Sequence, residues 1–236
     1  GSYASSTTYV TGKAVENCAL ELRSRIEKLG AKLIGCDKSE VTFDGSCVSC
    51  EAGEHKGASV SLCDIATASM CGNDMALSVT NTHTSPISPP PFMVGMVEIE
   101  LDKETGHIEI LDYVAVVDCG TPVNPNLARV QVEGGLGQGI GMALYEGVDY
   151  TPNGYVKQNS FMQYKVPARV DVGKLRVEFE SSYEPTGPFG AKSIGEIVIN
   201  TPSPALAHAV FNATGLWIRE LPITSEKIVM GLLEKE

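Results

Sequence analysis

Five glycines, at positions 134, 135, 137, 139 and 141, crowd the segment QVEGGLGQGIG that spans residues 131–141. Upstream, Asn124-Pro125 reads as the opening of a helix that runs through about Tyr145. Each interior glycine costs a helix up to about 1 kcal/mol relative to alanine, so some interaction must offset the loss. Two uses of small residues would do so. One is close packing against another element of the core. The other is a surface shaped to a bulky cofactor, with Gln131 and Gln138 as hydrogen-bonding groups. The dinucleotide pattern G-x-G-x-x-G is met at no register here, which excludes a Rossmann reading.

A second glycine-rich stretch, GPFGAKSIGE at residues 187–196, ends on a single carboxylate, Glu196. Its small residues cannot fill a core, but they let backbone approach a ligand. Held there with restricted solvent, Glu196 would have a raised pKa and suit a general base. The competing reading is a charge placed near the start of the following helix, favoured by its dipole. Lys192 stays open in the same way: it neutralises Glu196, binds an anion, or faces solvent.

The rest of the chain mixes both kinds of secondary structure. Apolar spacing predicts a helix over 13–29, stopped by Gly30. Asp44-Gly45 marks a hairpin turn between short strands at 41–43 and 47–49. A short helix at 62–70, ended by Gly72, and a strand at 76–82 follow. The run TSPISPPP at 84–91 is a stiff connector. Two long alternating runs, 92–101 and 107–117, form a hairpin around Asp102-Lys-Glu-Thr-Gly106. Strands are expected near Val156 and at 175–179. Helices are expected from Asn200 or Thr201 to Ala213, closed by Gly215, and over 225–233 with Thr224 as N-cap. The fold class is α+β, mixed helices and antiparallel hairpins, divided at the connector into residues 1–91 and 92–236.

A net charge of −11 argues against nucleic acid or an anionic membrane as partner, and no run approaches the roughly 18 apolar residues of a membrane helix. The seven cysteines read as free thiols of a reducing, cytoplasmic compartment. Only Cys47-Val-Ser-Cys50 has metal-ligand spacing. No second pair matches it and His55 stands alone, so the pair reads as a hairpin edge and no metal ligand is assigned.

Taken together, four ordered segments resemble the molybdenum hydroxylases, the xanthine dehydrogenase and aldehyde oxidase family. They are GSYASSTTYVTGKAV at the start, DCGTPVNP leading into VEGGLGQGIG, GAKSIGE followed by IVINTPSPALAHAV, and IRELPITSEKI near the end. The resemblance spans nearly the whole chain. It implies the C-terminal portion of a molybdopterin-binding subunit, with Gly1-Ser2 part of a native loop and the chain starting in mid-subunit.

The resemblance also implies chemistry. The cofactor is molybdenum-molybdopterin, as the plain pterin or its cytosine dinucleotide, and the pterin itself supplies the sulfur ligands. A glutamate, matched here by Glu196, takes a proton from a metal-bound hydroxyl whose oxygen attacks an electron-poor carbon. Gln131 matches a glutamine near the metal centre. Ser2, Tyr3, Ala4 and Ser5 match the loop that holds the cofactor, and Lys192 and Ser193 lie in a turn touching the pterin. Electrons leave to iron–sulfur and FAD groups on partner subunits or domains. The substrate is a purine-like heterocycle, with an aldehyde or nicotinate-type ring as the second choice. The family's F-G-G motif and substrate-orienting arginine and glutamate belong to an upstream part of the subunit. A non-catalytic assembly module, with glycines for packing and Glu196 a helix-end charge, is the reading from another class.

Overall fold

The structure, a computed structural model, describes residues 3–71 and 77–235. Its contacts group Gly1–Tyr9 with Pro86–Glu236 in one unit and place Val10–Ser85 in another. The sequence-based division, 1–91 and 92–236, cuts the chain once, whereas these units need two crossings.

In the smaller unit, helix α1 (Gly12–Ile34) is followed by strands β1 (Val41–Phe43), β2 (Cys47–Cys50) and β3 (Ser59–Ser61) and by helix α2 (Leu62–Cys71). The strands form an antiparallel sheet in the order β1-β2-β3. Asp44 shapes the expected turn: its Oδ1 accepts the N–H groups of Ser46 and Cys47 at 2.7 and 2.8 Å. Ile26 and Leu29 of α1 pack with Val41, Val48 and Cys50 of the sheet and Ile65 of α2. The helix does not stop at Gly30. It continues to Gly35, whose left-handed φ of 91° and N–H bond to the Ala31 carbonyl close it. Gly30 instead lies where α1 meets the sheet, since a Cβ there would stand 2.7 Å from that of Val48. The expected strand at 76–82 does not form over 77–82, and Ala76 and the expected stop at Gly72 lie outside the described residues.

The larger unit is built on the long hairpin, β4 (Phe92–Leu101) and β5 (Ile108–Asp118), whose alternation gives one buried face. Helix α3 (Pro125–Leu144) follows, its N-cap Asn124 accepting the Leu127 N–H at 3.1 Å. Strand β6 (Lys174–Phe179) then lies parallel to β5, giving the sheet order β4-β5-β6. The expected antiparallel hairpins form, and β5–β6 adds a parallel pair because the connection carrying α3 is long enough to cross over. Near Val156 only a single bridge to Tyr150 forms. Helices α4 (Pro202–Thr214) and α5 (Ser225–Leu233) complete the unit, with Gly215 and Thr224 in the capping positions expected of them.

α3 organises this core. Val132 and Leu136 pack with Tyr113, Ala115 and Val117 of β5. Ile140 and Ala143 pack with Leu206 and Val210 of α4 and Ile228 of α5. Tyr113 is fully buried, and its hydroxyl donates to Thr201 Oγ1 at 2.9 Å, so its polar tip is satisfied. No helix among the described residues is long and apolar enough to cross a membrane.

Candidate functional site

Opposite its core face, α3 carries Gln131, Gly134 and Gln138, spaced three and four apart and therefore on one side of the helix. Segment 195–199 and the turn beginning at Tyr3 face them. Together they line a cavity of about 600 Å³ that includes Tyr3, Ala4, Ser5, Gln131, Gly195 and Glu196.

The turn is unusual. Ala4 and Ser5 have φ of 48° and 58°, left-handed values that non-glycine residues rarely adopt. A Ser6 N–H bond to the Tyr3 carbonyl at 2.9 Å closes it, and the Ser6 hydroxyl donates to Ala4 O at 3.1 Å. Strained backbone of this kind persists where the surroundings hold it. Here Ser5 supplies the hold. Its hydroxyl donates to Glu196 Oε2 and accepts the Glu196 N–H, each at 2.9 Å. Gly195 permits the approach: a Cβ there would come within 2.4 Å of the Ser5 Cβ and 3.0 Å of its Cα. Gln131 Nε2 donates to the Gly195 carbonyl at 2.9 Å. Ser5, Gln131 and Glu196, far apart in sequence, are thus one bonded cluster.

Both readings of the glycine helix find a counterpart, on different faces. A Cβ at Gly135 would lie 2.0 Å from Val198 Cγ2, and one at Gly139 would lie 2.6 Å from Pro202 Cγ, so these two serve packing. A Cβ at Gly134 would meet nothing within 4 Å. That glycine borders the cavity and leaves its wall low.

Three readings are corrected. Glu196 is exposed rather than shielded from solvent. It does not sit on the N-terminus of a long helix either. A single 3₁₀ turn, Ile197–Ile199, follows it without a side-chain cap bond, and α4 starts only at Pro202. Lys192 does not reach Glu196. Its ammonium donates to Asp118 Oδ2 at 2.7 Å and lies 5.6 Å from the Phe92 ring centroid. It borders a second cavity of about 480 Å³, which shares Ser5, Gln131 and Gly195 with the first. Ser193 is buried and lines neither cavity. Ser2 lies outside the described residues.

The sequence reading missed the Ser5 hydroxyl, which was expected to act only through its loop backbone, and it missed Asp118. The one available signal was an aspartate closing an alternating strand just before Cys119-Gly120. Burial alone would raise the Asp118 carboxyl, but the Lys192 ammonium, the Ser182 hydroxyl and the Gly120 N–H outweigh it and hold it below the usual range. A lowered folded value means that the stabilisation is complete above the unfolded value of about 3.9 and is lost as pH falls through the folded one. Asp118→Asn is therefore expected to lower stability at neutral pH and to flatten its decline below about pH 4. Denaturant unfolding at a series of pH values measures both effects.

The cavity suits a large hydrogen-bonding ligand. Its walls offer the amides of Gln131 and Gln138, a strained backbone turn and an open glycine face. Glu196 is the only carboxylate among the described lining residues, and no cysteine or histidine among them lines this cavity. A metal there would need its soft ligands from the ligand itself, as a sulfur-bearing cofactor provides.

Residues 1–173 match the family model described as Molybdopterin cofactor-binding domain. The chain is 34% identical over 234 residues to Probable hypoxanthine oxidase XdhD of Escherichia coli (strain K12), covering 98% of this chain and 24% of that protein. It is 30% identical over 237 residues to the 6-hydroxypseudooxynicotine dehydrogenase complex subunit gamma of Paenarthrobacter nicotinovorans, covering 97% and 30%. The crystal structure of quinoline 2-oxidoreductase from Pseudomonas putida 86 matches with a TM-score of 0.83 at 25% identity, covering 99% of this chain and 31% of that one. The chain spans about a quarter to a third of the length of these proteins.

Proposed function

Because the chain belongs to the molybdopterin cofactor-binding family of the molybdenum hydroxylases, we propose that it forms one wall of an active site that hydroxylates a purine-like heterocycle, with Glu196 as general base. The observation that carries this reading is the Ser5–Glu196–Gln131 cluster at the edge of the cavity. The purine-like substrate is supported by the name of the hypoxanthine oxidase relative. A nicotinate-type ring is the second reading, favoured by the pseudooxynicotine relative.

When bound, the molybdenum-pterin group supplies the redox chemistry and the oxygen to be transferred. The strained turn from Tyr3 to Ser6, with Ser2 before it, and the amides of Gln131 and Gln138 would hold that group. Lys192 is assigned to the pterin side, through the second cavity that it borders, and Ser193 to the same turn, where its buried side chain would act behind that wall. Ser5 occupies Glu196 Oε2 with its proton, which turns the carboxylate and leaves Oε1 to take up the proton released during the reaction. The Gln131 side chain, anchored through Nε2 on Gly195, keeps its own oxygen available as an acceptor. Iron–sulfur and FAD groups on partner subunits would carry the electrons away, and the free cysteines support a reducing, cytoplasmic setting.

Exposure of Glu196 fits a wall that other parts of the enzyme cover. Chain 1–236 by itself is accordingly expected to retain no stoichiometric molybdenum cofactor. Elemental analysis of the purified chain checks this, and a molybdenum content near one per chain would refute it. The catalytic reading itself is tested by Glu196→Gln in the cofactor-loaded enzyme: undiminished turnover there would favour the non-catalytic assembly module.

A further inference from the structure

A second group of chemically active side chains lies in the smaller unit, outside both cavities. The sulfurs of Cys36 and Cys50 and a carboxylate oxygen of Glu40 all stand within 4.8 Å of one another. The fold brings them there from three directions. Cys36 follows the left-handed Gly35 that ends α1. Glu40 closes a 3₁₀ turn, Lys38–Glu40, with its Oε2 taking the Asp37 N–H at 3.1 Å. Cys50 ends β2 and is only 2% exposed, its thiol donating to the Ala52 carbonyl at 3.0 Å.

Three groups that become negative on ionisation are thus packed together. Glu40 takes part in none of the ion pairs of the described residues. Cys36 stands beside the buried Cys50 and near Glu40, so ionising any one of the three adds a like-charge cost for the others. A divalent cation would reverse each of these penalties at once. The His55 imidazole lies outside that 4.8 Å group but in the same region, since a Cβ on Gly35, the residue preceding Cys36, would lie 3.5 Å from its Nε2.

We propose that Cys36, Glu40 and Cys50 bind a divalent cation of the zinc class, with His55 closing the fourth position. Two thiolates, an imidazole and a carboxylate form a donor set suited to tetrahedral zinc. Ligands about 2.3 Å from a shared centre stand roughly 3.8 Å apart, so the three groups need to draw in by about an ångström or less. The C-x-x-C spacing pointed to the wrong partner. Cys47 and Cys50 are three apart on a strand, so they face opposite sides of the sheet. The pairing runs from Cys50 to the end of α1 instead.

The test uses the full chain, reduced and stripped of metal by a chelator, then titrated with Zn²⁺ and with Co²⁺. Expected are one bound equivalent and a Co²⁺ form with thiolate charge-transfer absorption and tetrahedral d–d bands. Cys36→Ser and Cys50→Ser should lose the equivalent and the charge-transfer band, while Glu40→Gln and His55→Ala should weaken binding and change the d–d bands. Cys50 is buried and its variant risks unfolding, so the half-buried Cys36 and Glu40 decide, with folding checked by circular dichroism. Cys47→Ser should bind as the parent does. No binding by the parent chain, binding that survives Cys36→Ser, binding lost in Cys47→Ser, or a Cys36–Cys50 disulfide that persists under the reducing conditions would each overturn the proposal.

Discussion

Glu196→Gln in the cofactor-loaded enzyme is expected to lower turnover by about 10²–10⁴-fold while molybdenum content stays unchanged. The substitution keeps shape and hydrogen-bonding capacity but removes the oxygen that accepts a proton. Ser5 can still donate to the amide oxygen of the introduced side chain, so the strained turn at Ala4 and Ser5 should remain in place. That separates proton transfer from cofactor retention. Ser5→Ala serves as the companion variant. It leaves the carboxylate ionisable but unanchored, and it strips the Glu196 N–H of its acceptor, so a smaller loss of turnover is expected. Turnover measured beside metal content reads both. Equal losses in turnover and molybdenum for Glu196→Gln would assign the residue to cofactor retention instead of proton transfer.

The second large effect concerns stability and has opposite signs at two neighbouring glycines. Gly135→Ala is expected to destabilise the larger unit by about 1–3 kcal/mol, as overpacking does in a well-filled core. Its Cβ would enter the space of Val198, which is buried and lies two residues beyond Glu196. The 3₁₀ turn that carries Val198 must then shift, disturbing the Ser5 bonds as well. Gly137→Ala has no such obstacle, because nothing lies within 4 Å of its Cβ. It should gain up to about 1 kcal/mol from helix propensity alone. Denaturant unfolding of both variants against the parent chain measures the contrast. Equal effects at the two sites would show that the backbone cost of glycine, rather than the contact with Val198, governs this helix.

Local chemistry made much of this structure legible in the sequence. The alternation on either side of Asp102-Gly106 marked the long hairpin, and Asn124-Pro125, Thr224 and Gly215 marked helix ends, because each such signal acts within a few residues of itself. What failed was decided by partners distant along the chain. Gly30 looked like a stop, yet Val48 explains it, and no reading of α1 alone could supply that contact. Strand β6 was expected in place, but its parallel partner β5 follows from the crossover through α3. Lys192 was weighed against Glu196, four residues away, whereas its counter-charge comes from Asp118 on the sheet. Among the candidate site residues, the loop from Tyr3 to Ser5 was reached through family resemblance alone, whereas residue chemistry had already offered Gln131 as a hydrogen-bonding group. Residue chemistry alone left Glu196 between two roles. The hydroxyl that binds it is a tertiary contact with no local trace.

Ser5 and Glu196 are separated by 191 residues, and that distance has a consequence in time. On a ribosome adding roughly 5–20 residues per second, the glutamate is made about 10–40 s after the serine. Throughout that interval the left-handed turn has neither its carboxylate nor its N–H partner. The Ser5–Glu196 contact therefore forms only after the hairpin and α3 have been made, and a cofactor proposed to rest on it can be received only by a chain synthesised past Glu196.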